Sequence, residues 1–355
     1  MELRKVLLKD MDAFVQTNWF LQLPDQPVSL LRADSYLHNP HALPDDPVLY
    51  FLQEADRIIA YRTVFPARLT NEEKRFAWLS GNWVHPDFRR QGLSDKLLRE
   101  IVIDWEQRLL FTNYAPASLQ LYLKTQLFHP VYAGVGRRFY LFARTRKLFQ
   151  LRYPQLKWGW AGADFLIRLA ASIRLLAFKN REEKDFSFQK MRWPDDDCLQ
   201  LAEKQQSESL FLRGRRELQW ILRFPWISTV DGQQADRYAF SSFAEQFFYQ
   251  TVKVFHHGNF VGFLMYSVRD AHLKTLHGHF EMDCTAPLAR FLVQAAAVNR
   301  LEMITVLNPA LAEAIFRASS PFLFSKKINH QIYASFPVSA KNLKIQDGEG
   351  DFIFS

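Results

Sequence analysis

Residues 84–98 read VHPDFRRQGLSDKLL. The run before them, RFAWLSGNWV at 75–84, has the aromatic and β-branched content of a strand, and it stops at His85-Pro86. The run after them places Leu93, Leu97, Leu98, Ile101, Val102, Trp105 and Leu109 on one stripe of a helix. Arg89-Arg90-Gln91-Gly92 therefore bridges a strand and a helix. The first backbone N–H groups of such a helix have no partner within it and carry the positive end of its dipole. A glycine lets an oxyanion approach that backbone closely, so the stretch predicts a phosphate site. Two common phosphate loops are excluded: the chain has no GxxxxGK[ST], and no GxGxxG follows a strand. Gly134-Val135-Gly136 lacks a third glycine and opens no helix.

Working outward, the periodicity predicts ten elements in the first 140 or so residues. They run strand, helix, helix, three strands, helix, strand, helix, strand. Asp10 is placed to cap the first helix, expected over Met11–Leu21, and Pro116 sits in the first turn of the last, Pro116–Thr125. A basic segment, Lys147–Asp185, follows, with a helix expected over Ala163–Phe178. From Phe186 on, the same order of elements returns, its first helix opening on Asp195-Asp196-Asp197. The expected fold is α+β: a mixed, mostly antiparallel sheet flanked by helices, in two domains at 1–146 and 186–355 joined by a connector at 147–185.

Composition narrows the class. Two cysteines among 355 residues, Cys198 and Cys284, make neither a disulfide framework nor a zinc ribbon. MELRKVLLKDMDAF at the N-terminus lacks the apolar core of a signal peptide. The most membrane-like stretch, 160–178, carries Asp164, Arg168 and Arg174, which are costly at a bilayer centre. A cytoplasmic protein without a transmembrane segment is expected. Net charge is +8, and twelve Lys/Arg against three Asp/Glu put +9 on residues 137–184. That excess suits either an anionic partner or a solvated connector whose arginine stems cover apolar surface.

Val84-His85-Pro86 followed by Arg89-Arg90-Gln91-Gly92-Leu93-Ser94 resembles motif A of the GCN5-related N-acetyltransferases, a strand ending in V-x-P and then Arg/Gln-x-x-Gly-x-Gly/Ala. Ser94 replaces the final small residue. The resemblance extends in element order from about Met1 to Ala143. It implies that the backbone at Arg89, Arg90, Gln91, Gly92, Leu93 and Ser94 holds the pyrophosphate of acetyl-CoA, and that Trp83 and Val84 pair with its pantetheine arm. The family also carries a tyrosine helix, N-x-x-A-x-x-x-Y-x-K-x-G-F. Ser118, Tyr122 and Lys124 keep their places, while Ala115 stands for the asparagine and Gln126-Leu127 for Gly-Phe. The resemblance implies that Tyr122 protonates the departing thiolate; an amphipathic core tyrosine is the alternative. The fourth strand has no carboxylate to serve as base, and Ser80, Asn82 and His85 are its polar candidates.

The second half lacks the loop: after its corresponding strand the chain reads MDCTAPLARFLVQ. It looks like a degenerate copy of the same fold. His277, His279, Glu281 and Asp283 alternate there, and the first three are expected to contribute polar recognition of the acceptor, or simply a solvated sheet face, without a metal. The leading expectation is an acetyl-CoA-dependent N-acyltransferase, acting by direct transfer on a small-molecule or peptide amine, with nucleic acid not a partner and homodimer formation left open. Two other readings stand beside it: aminoacyl transfer from tRNA, which also uses two such halves, and a non-catalytic CoA-binding module.

Overall fold

The computed structural model describes residues 1–112, 116–141, 162–167, 169–171, 173, 185–230, 237–240, 242–318 and 321–354. The strands are β1 (Glu2–Leu7), β2 (Pro47–Glu54), β3 (Arg57–Arg68), β4 (Arg75–Val84), β5 (Leu109–Thr112), β6 (His129–Tyr140), β7 (Phe186–Met191), β8 (Phe247–His256), β9 (Asn259–Arg269), β10 (His272–Phe280), β11 (Met303–Val306) and β12 (Phe324–Ala334). The helices that matter below are α1 (Met11–Gln16), α2 (Asn18–Gln22), α3 (Leu30–Leu37), α4 (Leu93–Asp104), α5 (Pro116–Lys124), α6 (Asp196–Lys204), α7 (Arg215–Arg223), α8 (Thr285–Val298) and α9 (Pro309–Arg317).

The chain forms two compact units that interleave along the sequence. Unit 1 comprises Met1–Ala133, Asp195–Phe247 and His330–Ser355; unit 2 comprises Gly134–Pro194 and Phe248–Asn329. The units thus do not divide at 146 and 186, and two closing strands explain why. Ile332–Ala334 of β12 pair antiparallel with Leu110–Thr112 of β5 in unit 1. Arg137–Tyr140 of β6 pair antiparallel with Met303–Val306 of β11 in unit 2. Each half of the sequence lends its last strand to the other half's sheet. Gly136 permits that approach in unit 2, since a Cβ there would lie 2.4 Å from the Val306 carbonyl. Within Gly134-Val135-Gly136, the last glycine thus serves packing.

In unit 1 the strands order β1-β2-β3-β4-β5-β12, antiparallel except for the parallel β4–β5 pair. In unit 2 they order β7-β8-β9-β10-β11-β6, with β10–β11 parallel. One face of the unit 1 sheet packs on α4 through Leu93, Leu97, Leu98 and Ile101, all buried. Truncating such a leucine costs ~2–5 kcal/mol. The other face is covered by α1, α3, α7 and the C-terminal turn Gly350–Phe354, whose Phe354 stacks on Trp226 at 4.4 Å. Unit 2 buries Leu273, Leu288, Leu292, Ile304, Leu311 and Ile315 between its sheet and α8 and α9.

Several local expectations shift. The helix expected from Met11 breaks at Thr17, whose hydroxyl accepts from Phe20 N and caps α2. Asp10 stands at the cap of α1 but makes no side-chain capping bond. Asp195 does cap α6, accepting from Cys198 N at 3.2 Å. The stripe that ran on to Leu109 ends in α4 at Asp104, because Glu106 and Gln107 turn left-handed, at φ 48° and 59°. The closing strand expected from Arg138 to Ala143 spans His129–Tyr140 instead. Residues 162–167, 169–171 and 173 are helical, and the rest of the expected Ala163–Phe178 helix lies outside the described residues. Among the described residues, no helix is long and apolar enough to cross a membrane.

Candidate functional site

In unit 1, β4 and β5 pair only at Ala77–Leu109 and Trp78–Leu110. Beyond Trp78 they part, so Leu79–Val84 run on without β5 beside them. A short turn, Pro86–Phe88, follows β4; His85 caps it by accepting from Asp87 N, a structural task. Then the chain enters the loop. Arg90 (φ 65°) and Gly92 (φ 75°) both take left-handed conformations, costly for the arginine and easy for the glycine. Gly92 stands at the N-cap of α4, and no side chain caps that helix. A Cβ added at Gly92 would meet nothing within 4 Å. The cradle is open, its N–H groups have no capping side chain, and its geometry suits an oxyanion. Gln91 and Arg90 are exposed, while Arg89 folds back so that its Nε donates to the Val84 carbonyl at 3.3 Å. Leu93 is buried and anchors the helix start.

The loop connects to the tyrosine through a side chain that the motif reading passed over. Arg62, on β3, is fully buried. Its Nη1 donates to Tyr122 Oη at 2.9 Å, and its Nη2 donates to Ser94 Oγ at 2.9 Å. Ser94 Oγ in turn donates to Asn82 Oδ1 at 2.7 Å. Among the described residues, Arg62 makes no ion pair with a carboxylate, and its Nε has no hydrogen-bond partner. A buried cation in that state costs several kcal/mol. The Tyr122 ring, 5.2 Å away, repays part of this. The sequence did hold a signal: Arg62 is the one charge in IIAYRTVFPA, a run buried throughout.

Tyr122 is itself buried, its ring 4.0 Å from that of Phe111. Because its oxygen accepts from Arg62, its own O–H remains to donate. Tyr122, Ser94 and Asn82 are thus brought together. Ser80 points to the opposite face of the sheet, where it accepts from Arg32 and donates to Asp351. Trp83 stacks on Tyr61 at 5.2 Å on that same face. Ala115 lies outside the described residues.

His277, His279 and Glu281 belong to unit 2. His277 and His279 are each 2% exposed, their rings 4.9 Å apart and both beside Phe263. They do not form a solvated face. Glu281 lies beyond the end of β10 and is exposed. Among the described residues, no three metal-ligating side chains converge. Burial first, then Asp283, pushes the Cys284 thiol up to about 11, which keeps it protonated near neutral pH.

Comparison with known proteins agrees with the fold. The sequence model of the acetyltransferase (GNAT) family matches residues 12–124. A tandem GNAT protein from the clavulanic acid biosynthesis pathway has a similar structure, with a TM-score of 0.52 and 10% identity over 95% of this chain and 99% of that one. Saccharomyces cerevisiae N-myristoyltransferase, solved with myristoyl-CoA and inhibitors, gives 0.52 and 14%, over 95% and 80%. A probable N-acyltransferase from Enterococcus faecalis gives 0.51 and 9%, over 94% and 72%. At such identities the likeness is one of fold. No curated protein sequence matches the chain. Residues 12–124 match the acetyltransferase (GNAT) family, and the fold of the chain is similar to that of a tandem GNAT protein.

Proposed function

We propose that unit 1 is an acyl-CoA-dependent N-acyltransferase that moves an acetyl group directly to an amine. The observation that carries this reading is the hydrogen-bonded chain Tyr122–Arg62–Ser94–Asn82, which ties a buried phenol to an uncapped, glycine-bearing helix N-terminus beside an unpaired strand edge.

Acetyl-CoA, when bound, supplies an activated thioester. The N–H groups at the start of α4 hold its pyrophosphate, and the backbone of Trp83 and Val84 pairs with the pantetheine arm. As the C–N bond forms and the C–S bond breaks, the sulfur takes a proton from Tyr122 Oη and the nitrogen gives one to solvent water, from which the phenolate is reprotonated. Arg62 orients that phenol, leaving its hydrogen free to be given up. Its guanidinium also lies where negative charge grows, in a site of low dielectric where such stabilisation is strong. Tyr122 is the catalytic acid and Arg62 its positioning residue.

Release of free thiol from acetyl-CoA in the presence of an amine panel tests the reading. Turnover that requires Tyr122 is the expected result. Tight binding of tRNA that persists at raised salt, with no affinity for acetyl-CoA, would replace the reading with aminoacyl transfer.

A further inference from the structure

On the face of the unit 1 sheet opposite α4, polar groups crowd the bulge of β4. The bulge falls at Ser80–Gly81, where the register with β3 shifts. A Cβ added at Gly81 would lie 3.2 Å from Thr63 Oγ1 and 3.3 Å from Tyr238 Oη. Tyr36, Tyr61, Thr63 and Tyr238 are each at most 5% exposed, and among the described residues none of their four hydroxyls makes a hydrogen bond of good geometry, although the Ala239 backbone lies within reach of Tyr61 Oη. Arg32 and Thr63 flank the Tyr36 hydroxyl, and the Tyr61 ring stacks on that of Tyr238 at 6.4 Å. Arg32, 7% exposed, lies 3.9 Å over the Trp226 ring, and its Nη1 donates to Ser80 Oγ at 3.0 Å. Ser80 Oγ donates to Asp351 Oδ2 at 3.2 Å. One serine hydroxyl thus bridges a buried cation and a carboxylate.

An orphaned buried hydroxyl costs ~1–3 kcal/mol, and native structures rarely collect several at one point. Burial pushes the Tyr61 and Tyr238 phenols upward, so both keep their protons and can donate. Four hydroxyl donors around a guanidinium suit a carboxylate; Asp351 beside them suits an ammonium or amine. A plain alkylamine would leave the donors and Arg32 unanswered. We infer that the acceptor is an amine that carries its own carboxylate, a free amino acid, with the carboxylate at Arg32, Tyr36, Thr63 and Tyr238 and the amine toward Asp351. This rests on the acyl transfer proposed above.

Calorimetric titration of the full-length protein with the common amino acids, each paired with its C-terminal amide, reads the carboxylate without requiring turnover. At least one free acid should bind, and its amide should bind about 10- to 100-fold more weakly, as expected for loss of a charge-assisted bond. Arg32→Gln should erase that difference while the circular dichroism spectrum stays native. Tyr238→Phe, which removes one donor of several, should weaken the acid about fivefold and guards against misfolding of the arginine variant. Equal binding of acid and amide, silence of the whole panel, or a crystal soaked with amino acid showing ordered waters alone on these hydroxyls would overturn the inference. Acetyl-CoA titrated separately into the same preparation reports on the acyl-transfer reading alone, so either can fail by itself.

Discussion

Counted back from the paired strand ends, Val84–Ala60 in unit 1 and Phe280–Gly262 in unit 2, matching positions differ in kind. Arg62 and Asn82 correspond to Leu264 and Gly278. Gly81, where an added Cβ would crowd Phe240, Thr63 and Tyr238, corresponds to His277, and Trp83 corresponds to His279. The helix starts diverge as well. Neither α4 nor α8 has a side-chain cap, but in unit 1 the loop passes through two left-handed residues before the helix. In unit 2 a tight turn runs straight into α8: Cys284 N donates to the Glu281 carbonyl, Thr285 N to that of Met282, and Pro287 has no N–H to give. Exposed Glu281 and Asp283 add negative charge where a phosphate would need positive. The two units share a strand order and differ in kind at a handful of matching positions.

Changes that remove these differences should show it. Gly92→Glu should abolish acetyl-CoA binding by calorimetry, because it forces a side chain into φ 75° and sets a carboxylate at the phosphate position. Tyr122→Phe should lower turnover ~10²–10⁴-fold with acetyl-CoA affinity nearly intact; equal turnover would reduce Tyr122 to packing. Arg62→Leu installs the residue that unit 2 uses. Turnover should fall ~10–100-fold, the range of a lost charge-assisted hydrogen bond, yet the melting temperature should not drop, since an apolar side chain replaces a buried cation without a carboxylate partner. A lower melting temperature would make Arg62 a structural residue. Arg89→Ala should weaken acetyl-CoA binding less than tenfold, because the side chain is exposed and already engaged with Val84 O.

What could be read from residues alone was local. The strand, glycine turn and helix at 84–98 lie within one short window, and their periods and turn residues agree, so loop and fold class followed directly. The order of elements in the two halves was legible for the same reason. The exchange of β6 and β12 was not, because strand pairing across sheets is decided by tertiary packing. Nor was the far side of the site: Asp351 meets Ser80 across 271 residues of sequence, and no periodicity couples positions so distant. Alternation put His277 and His279 on one side of a strand correctly, but could not tell a wet face from one packed against Phe263.

The central claim is that one half works and the other is filled. Calorimetry of the full-length chain with acetyl-CoA tests it most directly. One molecule should bind per chain, and Gly92→Glu should eliminate the heat entirely. Two molecules per chain, or residual binding in the Gly92→Glu protein seated beside Cys284 and Thr285, would contradict the claim.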